Sequence, residues 1–437
     1  MTLYLKRNAN FLFIIIISLL LLNIHKNKKW GESSKSYGIN ICSDGRGYYA
    51  WLPAIFIYHD LNYGFYLNEE KNIDVNAGCY QNYITKFQGK NVNKYYPGTA
   101  IFMLPTFLAA HIYCKYFSKV YPANGYSFPY FIAIGVASII FMFIGLLYID
   151  RTLTLLYFTS NIRFIVVLCV IFGSNLINYS VDETSMSHVY SFALIGAFVY
   201  YTLIFSRNYN KSHFWFASFL IGWIFVTRPV NITILLLLPF IFWNDINKII
   251  SYFRSDFSIL LIGALCASFL PFMLLFSYKI STGSFLVYSY SNEKFNFLDP
   301  NIIGFLFSYT NGMVLYMPLL FVSIFIGIFS LSREILIKGI ILTLVVTIYI
   351  HASWWCWYYG RAFGSRTLLD FMSIFAILMA YNFSLIKTKF KRGILIIITL
   401  ICISVTMVLY KQRHSGKLAG YPISDYKEAL WEGFGLK

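Results

Sequence analysis

The sequence predicts an all-α polytopic membrane protein, and two observations carry that prediction. Hydrophobic residues make up 58% of the 437 residues, whereas charged residues make up only 12%. A soluble domain carries about 25% charged residues, so this chain has too little polar surface to cover a water-soluble globule. Long apolar runs also recur from one end of the chain to the other, and the mean hydropathy is +0.62.

The apolar runs predict a bundle of about 11–12 hydrophobic helices, because a helix needs roughly 20 apolar residues to cross a bilayer. Several runs are shorter than this, so we expect them to be tilted or re-entrant. No linker divides the chain, so we expect residues 1–410 to form one membrane domain, followed by a short tail at 411–437. The runs lie at 9–24, 96–117, 128–149, 163–180, 188–206, 213–227, 229–243, 257–279, 312–332, 335–352, 366–384 and 393–410.

The first apolar run follows Lys6 and Arg7 and resembles the core of a signal peptide. No small-residue cleavage site follows it, so we expect it to be retained as a signal anchor. Two polar loops interrupt the apolar pattern, at 25–95 and at 280–311. The first is expected to carry interfacial helices, because its aromatic residues suit the membrane surface. The aromatic content of 20% fits interfacial belts or an AT-rich genome, and both explanations stay open.

The net charge of +17 does not indicate a nucleic-acid partner, because the basic residues lie mostly in short loops between apolar runs. In such loops they orient helices and meet anionic lipid head groups. The seven cysteines are scattered and form no metal-binding spacing. We therefore assign no metal and no other cofactor, although a divalent metal stays open. Cys42 and Cys79 both fall in the first polar loop, and the sequence leaves a disulfide between them open.

Basic connections are expected in the cytoplasm, which puts the polar connections outside. An external first loop then requires that 96–117 does not simply span; it would be re-entrant or interfacial, with a break at Pro105. If 96–117 spans instead, the loop is cytoplasmic, and its lysines at 26, 28 and 29 mildly favour that arrangement. We favour the external loop because it gathers the acidic motifs on one face. The basic connections lie at 151–163, 207–211, 248–254, 333–338 and 387–392, and the polar ones near 182–183, 228, 280–311 and 351–366.

The first candidate site motif is SDGRGYYAWLP at 43–53, shortly after the first apolar run. Asp44 is a candidate general base at the membrane surface. The alternative is structural, because Ser43 or Asp44 before a helical run is a common helix cap.

Two further motifs carry basic residues at the edges of apolar runs. Lys94 precedes Tyr96 and Pro97 in KYYPGT at 94–99, where it could hold a phosphate, although the segment also fits an ordinary loop-to-helix junction. Arg228 lies before Pro229 between two short apolar runs. It is a candidate ligand for a lipid phosphate, and the alternative is that it snorkels to the membrane surface.

The motif DETSMSH at 182–188 brings Asp182, Glu183 and His188 to one membrane edge. Acids near lipid are costly unless they are exposed or paired, so they are candidates to bind a sugar, a metal or the acceptor. The alternative is that the acids favour the start of a helix.

The most distinctive motif is HASWWCWYYGRAFGSR at 351–366. Arg361 and Arg366 can grip phosphate oxygens, and the faces of Trp354 and Trp357 can stack on sugar rings. The alternative, an aromatic belt with positive anchors, explains neither the glycines nor the spacing of the arginines.

In these motifs the sequence resembles the GT-C superfamily of membrane glycosyltransferases, nearest to the protein O-mannosyltransferase and aminoarabinose-transferase branch. Members of that branch take a sugar from a polyprenyl-phosphate carrier on the outer face and carry an acid in a large first external loop, matched here by Asp44. Three later motifs of that branch also have counterparts here. Its Pro-Gly element resembles residues 96–98, its Arg/Lys-Pro element resembles 228–229, and its Trp-Tyr-Gly then Gly-x-Arg pattern resembles 357–360 and 364–366. The likeness covers most of the membrane region, but Asp44 is followed by Gly rather than by a second acid.

The resemblance implies a GT-C-like bundle that moves a sugar from a polyprenyl-phosphate donor to a glycan, lipid or protein acceptor, with inversion. Asp44 would be the general base. The expected location is the inner membrane of a bacterium, with membrane lipids around the helices and the active site on the outer face. The donor phosphate would be held by Arg228, Arg361, Arg366 and Lys94, and the sugar or acceptor by Asp182, Glu183, His188, Trp354, Trp357 and Tyr96.

Two other functions fit the same groups. A transporter or flippase of lipid-linked sugars would bind with them and break no bond. Against it stand the long first loop, the polar motifs gathered on one side and the lack of visible internal repeats. A polysaccharide polymerase or ligase would share the external arginines but use diphosphate-linked glycans.

Overall fold

The computed structural model describes residues 2–28, 40–67, 83–329, 334–386, 388–418 and 423–435. The described chain is mainly helical, as predicted, and has almost no sheet. Its one sheet is an antiparallel hairpin of β1 (Ile84–Phe87) and β2 (Lys90–Asn93), in which Ile84 pairs with Asn93. Parts of the predicted first loop, at 29–39 and 68–82, lie outside the described residues, and Cys79 is among them.

The helices cover all twelve predicted apolar runs, and they carry short interfacial pieces between them. Three 3₁₀ segments, Pro229–Leu237, Trp243–Asp245 and Arg366–Phe371, and a π-turn at Asn178–Asp182 lie at breaks between α-helices. The α-helices are α1 (Thr2–Asn27), α2 (Asp44–Phe56), α3 (Gly98–Tyr116), α4 (Phe128–Leu155), α5 (Ser160–Phe172), α6 (His188–Asn208), α7 (Lys211–Thr227), α8 (Leu238–Ile241), α9 (Ile246–Ser255), α10 (Ser258–Thr282), α11 (Ile302–Phe307), α12 (Met313–Tyr316), α13 (Pro318–Ile328), α14 (Ile335–Ala352), α15 (Met372–Leu385), α16 (Lys389–His414) and α17 (Ile423–Gly433).

Seven helices of the described chain are long and apolar enough to cross a membrane, and the number is eight if one bent pair counts as a span. That pair, Pro229–Ile241 with Trp243–Ser255, bends by 50°. Two other apolar helices, α5 and α13, have only 13 and 11 residues, which is less than the roughly 17 residues that a span needs. The runs at 163–180 and 312–332 are long enough to span, but the α-helices within them are not. The seven are Asn10–Asn27, α4, α6, α10, α14, Arg366–Leu385 and α16.

Helix α3 is not among the candidate spans. It runs antiparallel to the first half of α4: Phe102 packs on Phe141, and the Nδ1 atom of His111 lies 2.7 Å from the Tyr130 hydroxyl. The predicted break at Pro105 is wrong, because α3 continues through that residue. The buried side chains of its inner face hold it against α2 and α4 on both sides of the proline.

The two ends of the helix bundle differ in chemistry. At one end lie the basic connections, where Arg163 Nη1 is 2.8 Å from Asp150 Oδ1 and Lys211 Nζ is 2.7 Å from Asp256 Oδ2. At the opposite end, helix breaks at 187–188, 227–229 and 365–366 meet α2 and the segment 283–301. Because helices end there, the polar residues at their termini converge on one place.

The core lies between α4, α6, α15 and their neighbours, where Phe192, Phe198 and Phe375 are buried. Gly145 allows the close approach of α4 and α6, because a Cβ atom there would lie 2.3 Å from the Phe192 ring. This rigid core fixes the helix ends that build the polar site.

Candidate active site

Asp44 is the first residue of α2, and its side chain turns toward other parts of the chain. Ser43 at the N-cap position makes no capping hydrogen bond through its side chain. The Tyr95 hydroxyl donates to Asp44 Oδ1 at 2.7 Å, and Arg366 Nη2 forms an ion pair with Asp44 Oδ2. Both carboxylate oxygens therefore accept from donors outside α2. The Asp44 side chain does not cap the helix.

The electrostatic surroundings of Asp44 favour its charged form. Burial raises the pKa of the Asp44 carboxyl, but the charge of Arg366 and the Tyr95 hydrogen bond outweigh burial, so the pKa lies below its ordinary value. Burial and the nearby Asp44 charge raise the pKa of Tyr95 well above its ordinary value. Asp44 is thus an anion at neutral pH, and Tyr95 stays protonated as its donor.

Lys94 brings a second cation to this carboxylate and acts electrostatically on Asp44. Its ammonium group lies 5.4 Å from the centre of the Tyr95 ring and 5.2 Å from that of Tyr290, and it forms an ion pair with Glu293. The backbone of this segment is fixed because Trp51 Nε1 donates to the Tyr95 carbonyl at 2.9 Å. Lys94 is thereby held between α2 and the segment 283–301.

A second charged cluster lies beside the first and centres on Asp370. His188 Nδ1 lies 2.8 Å from Asp370 Oδ1, and Asn231 Nδ2 donates to Asp370 Oδ2 at 2.8 Å. Arg228 Nε lies 3.1 Å from Asp370 Oδ2, within ion-pair distance, but its N–H does not point at that oxygen. Arg228 Nη1 also donates to Ser187 Oγ at 3.3 Å. Four separate helix ends supply these groups.

Two tyrosines lie between the clusters. Tyr48 is acted on by the charges of Arg228 and Arg366, and the Cζ atom of Arg366 lies 5.6 Å from the centre of the Tyr359 ring. Burial raises the pKa of both tyrosine hydroxyls. The hydroxyls therefore remain hydrogen-bond donors in a region that carries two guanidinium groups.

Some buried polar atoms in the site have no partner among the described residues. Within that part of the chain, Arg366 Nε and His351 Nε2 make no hydrogen bond, although the two residues are only 6% and 1% exposed. His351 is oriented by its other nitrogen, Nδ1, which lies 2.7 Å from the Tyr359 hydroxyl. Leaving a buried polar group unpaired costs about 1–3 kcal/mol. An anionic ligand between the arginines would satisfy such groups.

The predicted pair Asp182 and Glu183 is neutralised by other basic residues. Lys28 Nζ lies 2.5 Å and His414 Nδ1 2.9 Å from Asp182 Oδ1, and Arg413 Nη2 lies 3.1 Å from Glu183 Oε1. These contacts join α1 and α16 to the segment before α6. Glu183 also acts electrostatically on Arg366, so this network borders the site.

The structure brings some of the other predicted residues together and separates the rest. Trp354 packs edge-on against Tyr290 at 5.8 Å and so borders the Lys94 cluster. His188 is only 1% exposed and faces Asp370, which leaves it no open face for a sugar. None of the remaining three contacts Asp44 directly among the described contacts: Arg361 is exposed, Trp357 packs against Tyr358, and Tyr96 borders the apolar cluster around Val92 and Tyr278.

Sequence reasoning missed Asp370, Asn231, Glu293 and the roles of Tyr48 and Tyr95. Asp370 did give a signal, because it is the one acid in the apolar run 366–384. An ionisable residue within a span is rare and marks a functional or paired site. The pairing of Lys94 with Glu293 had no such signal, because the two residues are 199 positions apart.

The donors around Asp44 do not fit a divalent cation. Metal sites of this kind gather several carboxylates or imidazoles, whereas the partners of Asp44 are a guanidinium, a phenol and a nearby ammonium group. Within the described residues, no group of three His, Cys, Asp or Glu side chains could hold a metal ion.

Comparison with known proteins gives a fold rather than a close relative. No protein-family model matches the sequence, and no curated protein is similar to it at a significant level. The archaeal oligosaccharyltransferase AglB from Archaeoglobus fulgidus, solved with an inhibitory peptide and a dolichol-phosphate, superposes with a TM-score of 0.51 over 98% of this chain, at 10% identity. The chain shares the fold of this oligosaccharyltransferase, which is a GT-C superfamily glycosyltransferase.

The GT-C domain formed by this chain is shorter than the proteins it resembles. It spans 58% of the length of that AglB chain. A second Archaeoglobus fulgidus oligosaccharyltransferase structure, a complex with Zn and sulfate, is 11% identical over 94% of this chain and 53% of that one, with a TM-score of 0.48. At such low identity the likeness concerns the fold.

Proposed function

We propose that the protein is a membrane glycosyltransferase that moves a sugar from a polyprenyl-phosphate donor to an acceptor on the extracytoplasmic face. One observation carries the proposal: at one end of a GT-C bundle a largely buried carboxylate, Asp44, pairs with Arg366 and lies near Lys94, and Arg228 acts on the neighbouring Tyr48. A base beside phosphate-binding cations is what transfer from a phosphate leaving group requires.

In the proposed reaction, the acceptor hydroxyl oxygen attacks the anomeric carbon and transfers its proton to Asp44. The bond between the anomeric carbon and the phosphate oxygen breaks, and both of its electrons go to the phosphate. Arg366 and Arg228 stabilise the negative charge that builds there, with Lys94 at longer range. Attack from the face opposite the phosphate inverts the configuration of the sugar.

A lipid-linked donor fits the setting of this site. The site lies at the end of a bundle of membrane helices, so a polyprenyl tail can reach it from the bilayer while its phosphate meets the arginines. The AglB structure of the same fold was solved with a dolichol-phosphate, a lipid phosphate of this class. We propose Trp354 and Tyr290 as part of the sugar platform, because their rings border Lys94.

The extracytoplasmic location rests on two features. Cys42, two residues before Asp44, is disulfide-bonded, and disulfides persist mainly in oxidising compartments. The basic connections gather at the other end of the bundle, where the positive-inside rule puts the cytoplasm. We propose the inner membrane of a bacterium as the site of action.

The decisive experiment uses purified protein, a labelled polyprenyl-phosphate sugar and a panel of acceptors. We expect release of polyprenyl phosphate, and a loss of roughly 10²- to 10⁴-fold in Asp44→Asn, the typical contribution of a general base. The variant should still bind the donor. Asp150→Asn is the control, because Asp150 pairs with Arg163 at the opposite end of the bundle.

Three results would count against the proposal. Full turnover in Asp44→Asn would remove the base from the mechanism. Movement of the lipid-linked sugar across vesicles without any bond cleavage would instead identify a flippase. Release of a polyprenyl diphosphate from diphosphate-linked glycans, but not of a monophosphate, would identify a polymerase or ligase.

A further inference from the structure

The best-defined charged cluster outside the proposed chemistry is the one around Asp370. This carboxylate is fully buried and contacts His188, Asn231 and Arg228, which come from three different elements. A buried anion is tolerated only when it is paired and hydrogen-bonded. The three contacts meet that requirement, so Asp370 has a fixed place in the structure.

The geometry of Arg228 leaves part of its guanidinium available. Its Nε atom lies 3.1 Å from Asp370 Oδ2 but makes no aligned hydrogen bond, so the pair is held mainly by charge. Its Nη1 atom contacts Ser187 and the His188 ring at 3.3 Å. Asp370 therefore fixes the position of the guanidinium without occupying all of its donors.

The backbone at Arg228 cannot by itself fix this side chain. Arg228 follows the last residue of α7 in an extended conformation, with φ of −153°, and the next helix begins at Pro229. A long side chain at a helix break has many rotamers, and holding one of them costs about 2 kcal/mol of rotamer entropy. The opposite charge of Asp370, fixed in the buried segment Arg366–Phe371, supplies that restraint.

We infer that Asp370 is a positioning residue that holds Arg228 at the donor phosphate. His188 and Asn231 in turn orient the Asp370 carboxylate. The inference rests on the proposed function, since it assigns Arg228 to the donor phosphate. Asp370 itself touches no substrate: it acts through Arg228.

The test measures both turnover and the binding of a polyprenyl monophosphate without sugar. Asp370→Asn should weaken binding of this lipid by about 10- to 100-fold, the loss that removal of an outer partner typically causes at metal sites. Asp150→Asn is a matched control, because Asp150 likewise contacts an arginine and an asparagine, whose donors lie 2.8 Å from its Oδ1 atom, in another part of the bundle. It should bind the lipid as the wild type does.

A double-mutant cycle separates positioning from a general structural role. If Asp370 acts through Arg228, then Asp370→Asn should add little further loss of lipid binding in an Arg228→Met background. The double variant should also melt higher than Arg228→Met alone, because it no longer buries an unpaired carboxylate. Losses that simply add in the cycle would overturn the inference.

A second variant guards against misfolding of Asp370→Asn. Asn231→Ala removes one donor and leaves both charges, so it should give a smaller loss of lipid binding in the same direction; unchanged binding in a folded Asn231→Ala would count against the inference. The two proposals fail separately. If the Asp370 and Arg228 variants are coupled in lipid binding but no sugar is transferred, the glycosyltransferase is rejected and the positioning role is kept. If sugar is transferred but the two variants are not coupled, the positioning role is rejected and the glycosyltransferase is kept.

Discussion

Tyr95 and Arg366 occupy the two oxygens of the Asp44 carboxylate, and this arrangement defines how the residue can act. A carboxylate with a lowered pKa is fully charged at neutral pH but is a weak base. One of the two contacts must loosen before Asp44 can take a proton from an acceptor. Arg366 is the natural one, because a donor phosphate would compete for its guanidinium.

Tyr95→Phe should move the pH dependence of activity. The Tyr95 hydrogen bond lowers the pKa of Asp44, so its removal raises that pKa. Because the charged form of Asp44 is the base in the proposed reaction, the acidic limb of kcat/KM should shift to higher pH, while the rate at high pH changes less. The measurement is a pH–rate profile of the free enzyme.

Tyr49→Phe is the matched control for that profile. Tyr49 lies on the same helix, but its hydroxyl donates to the Gly125 carbonyl at 2.5 Å. Its profile should coincide with that of the wild type. An unshifted acidic limb in Tyr95→Phe would mean that Asp44 does not set it.

At the scale of single residues, the sequence was informative where a motif stood out from an apolar background. Asp44, Lys94, Arg228 and Arg366 could be singled out because charge or glycine interrupts hydrophobic runs. Their partners could not be identified from the sequence, because pairing depends on which helix ends meet in the folded protein. Asp370 was overlooked inside a run that otherwise looks like lipid-facing helix.

At the scale of elements, the first turn of α2 depends on a close contact with the segment before α6. A Cβ atom on Gly45 would lie 1.9 Å from Ser185 Oγ and 2.9 Å from Ser185 Cβ. Real side chains do not approach so closely, so a larger residue at 45 must displace either α2 or the segment around Ser185. A glycine at position 45, next to Asp44, is therefore needed for the observed packing of the site.

Gly45→Ala should reduce activity strongly and destabilise the protein by about 1–3 kcal/mol, the usual cost of overpacking. The double variant Gly45→Ala/Ser185→Gly removes the clashing side chain and should regain part of the activity. Thermal melting and transfer assays on both variants test this. Equal activity in Gly45→Ala and wild type would show that the start of α2 can shift without harm to the site.

The lengths of the apolar runs did not by themselves decide which helices could cross the membrane. The runs at 128–149 and 257–279 gave candidate spanning helices, whereas the runs at 163–180 and 312–332 gave the shorter helices α5 and α13, and the run at 96–117 gave α3, which is not among the candidate spans. Pro105 was expected to break α3, but packing against α2 and α4 keeps the helix continuous. Local signals thus identified the helices, and tertiary contacts set their ends.

At the scale of the whole molecule, charge sorts to the two ends of the bundle, and this predicts a topology. Lys90, exposed on the hairpin near the site, should face the extracytoplasmic side, and Lys248, exposed at the basic end, should face the cytoplasm. Single cysteines at these positions, in a Cys266→Ser/Cys356→Ser background, can be labelled with an impermeant maleimide in intact cells.

We expect labelling at position 90 in intact cells, and labelling at position 248 only after the membrane is opened. The opposite pattern would put Asp44 in the cytoplasm and dismantle the extracytoplasmic proposal. The alternation of basic and polar loops allowed this topology to be predicted from sequence. The packing of distant segments into one site could not be predicted, because no local pattern encodes it.

The separation of the site residues along the chain also has a consequence for biosynthesis. Asp44 and Arg366 are 322 residues apart, and Asp370 follows four residues later. During translation the first loop and most helices emerge before the charges that neutralise Asp44 and Arg228 exist. The charged site can therefore assemble only when the last helices insert. A chain truncated before residue 366 contains Asp44 but lacks Arg366 and Asp370.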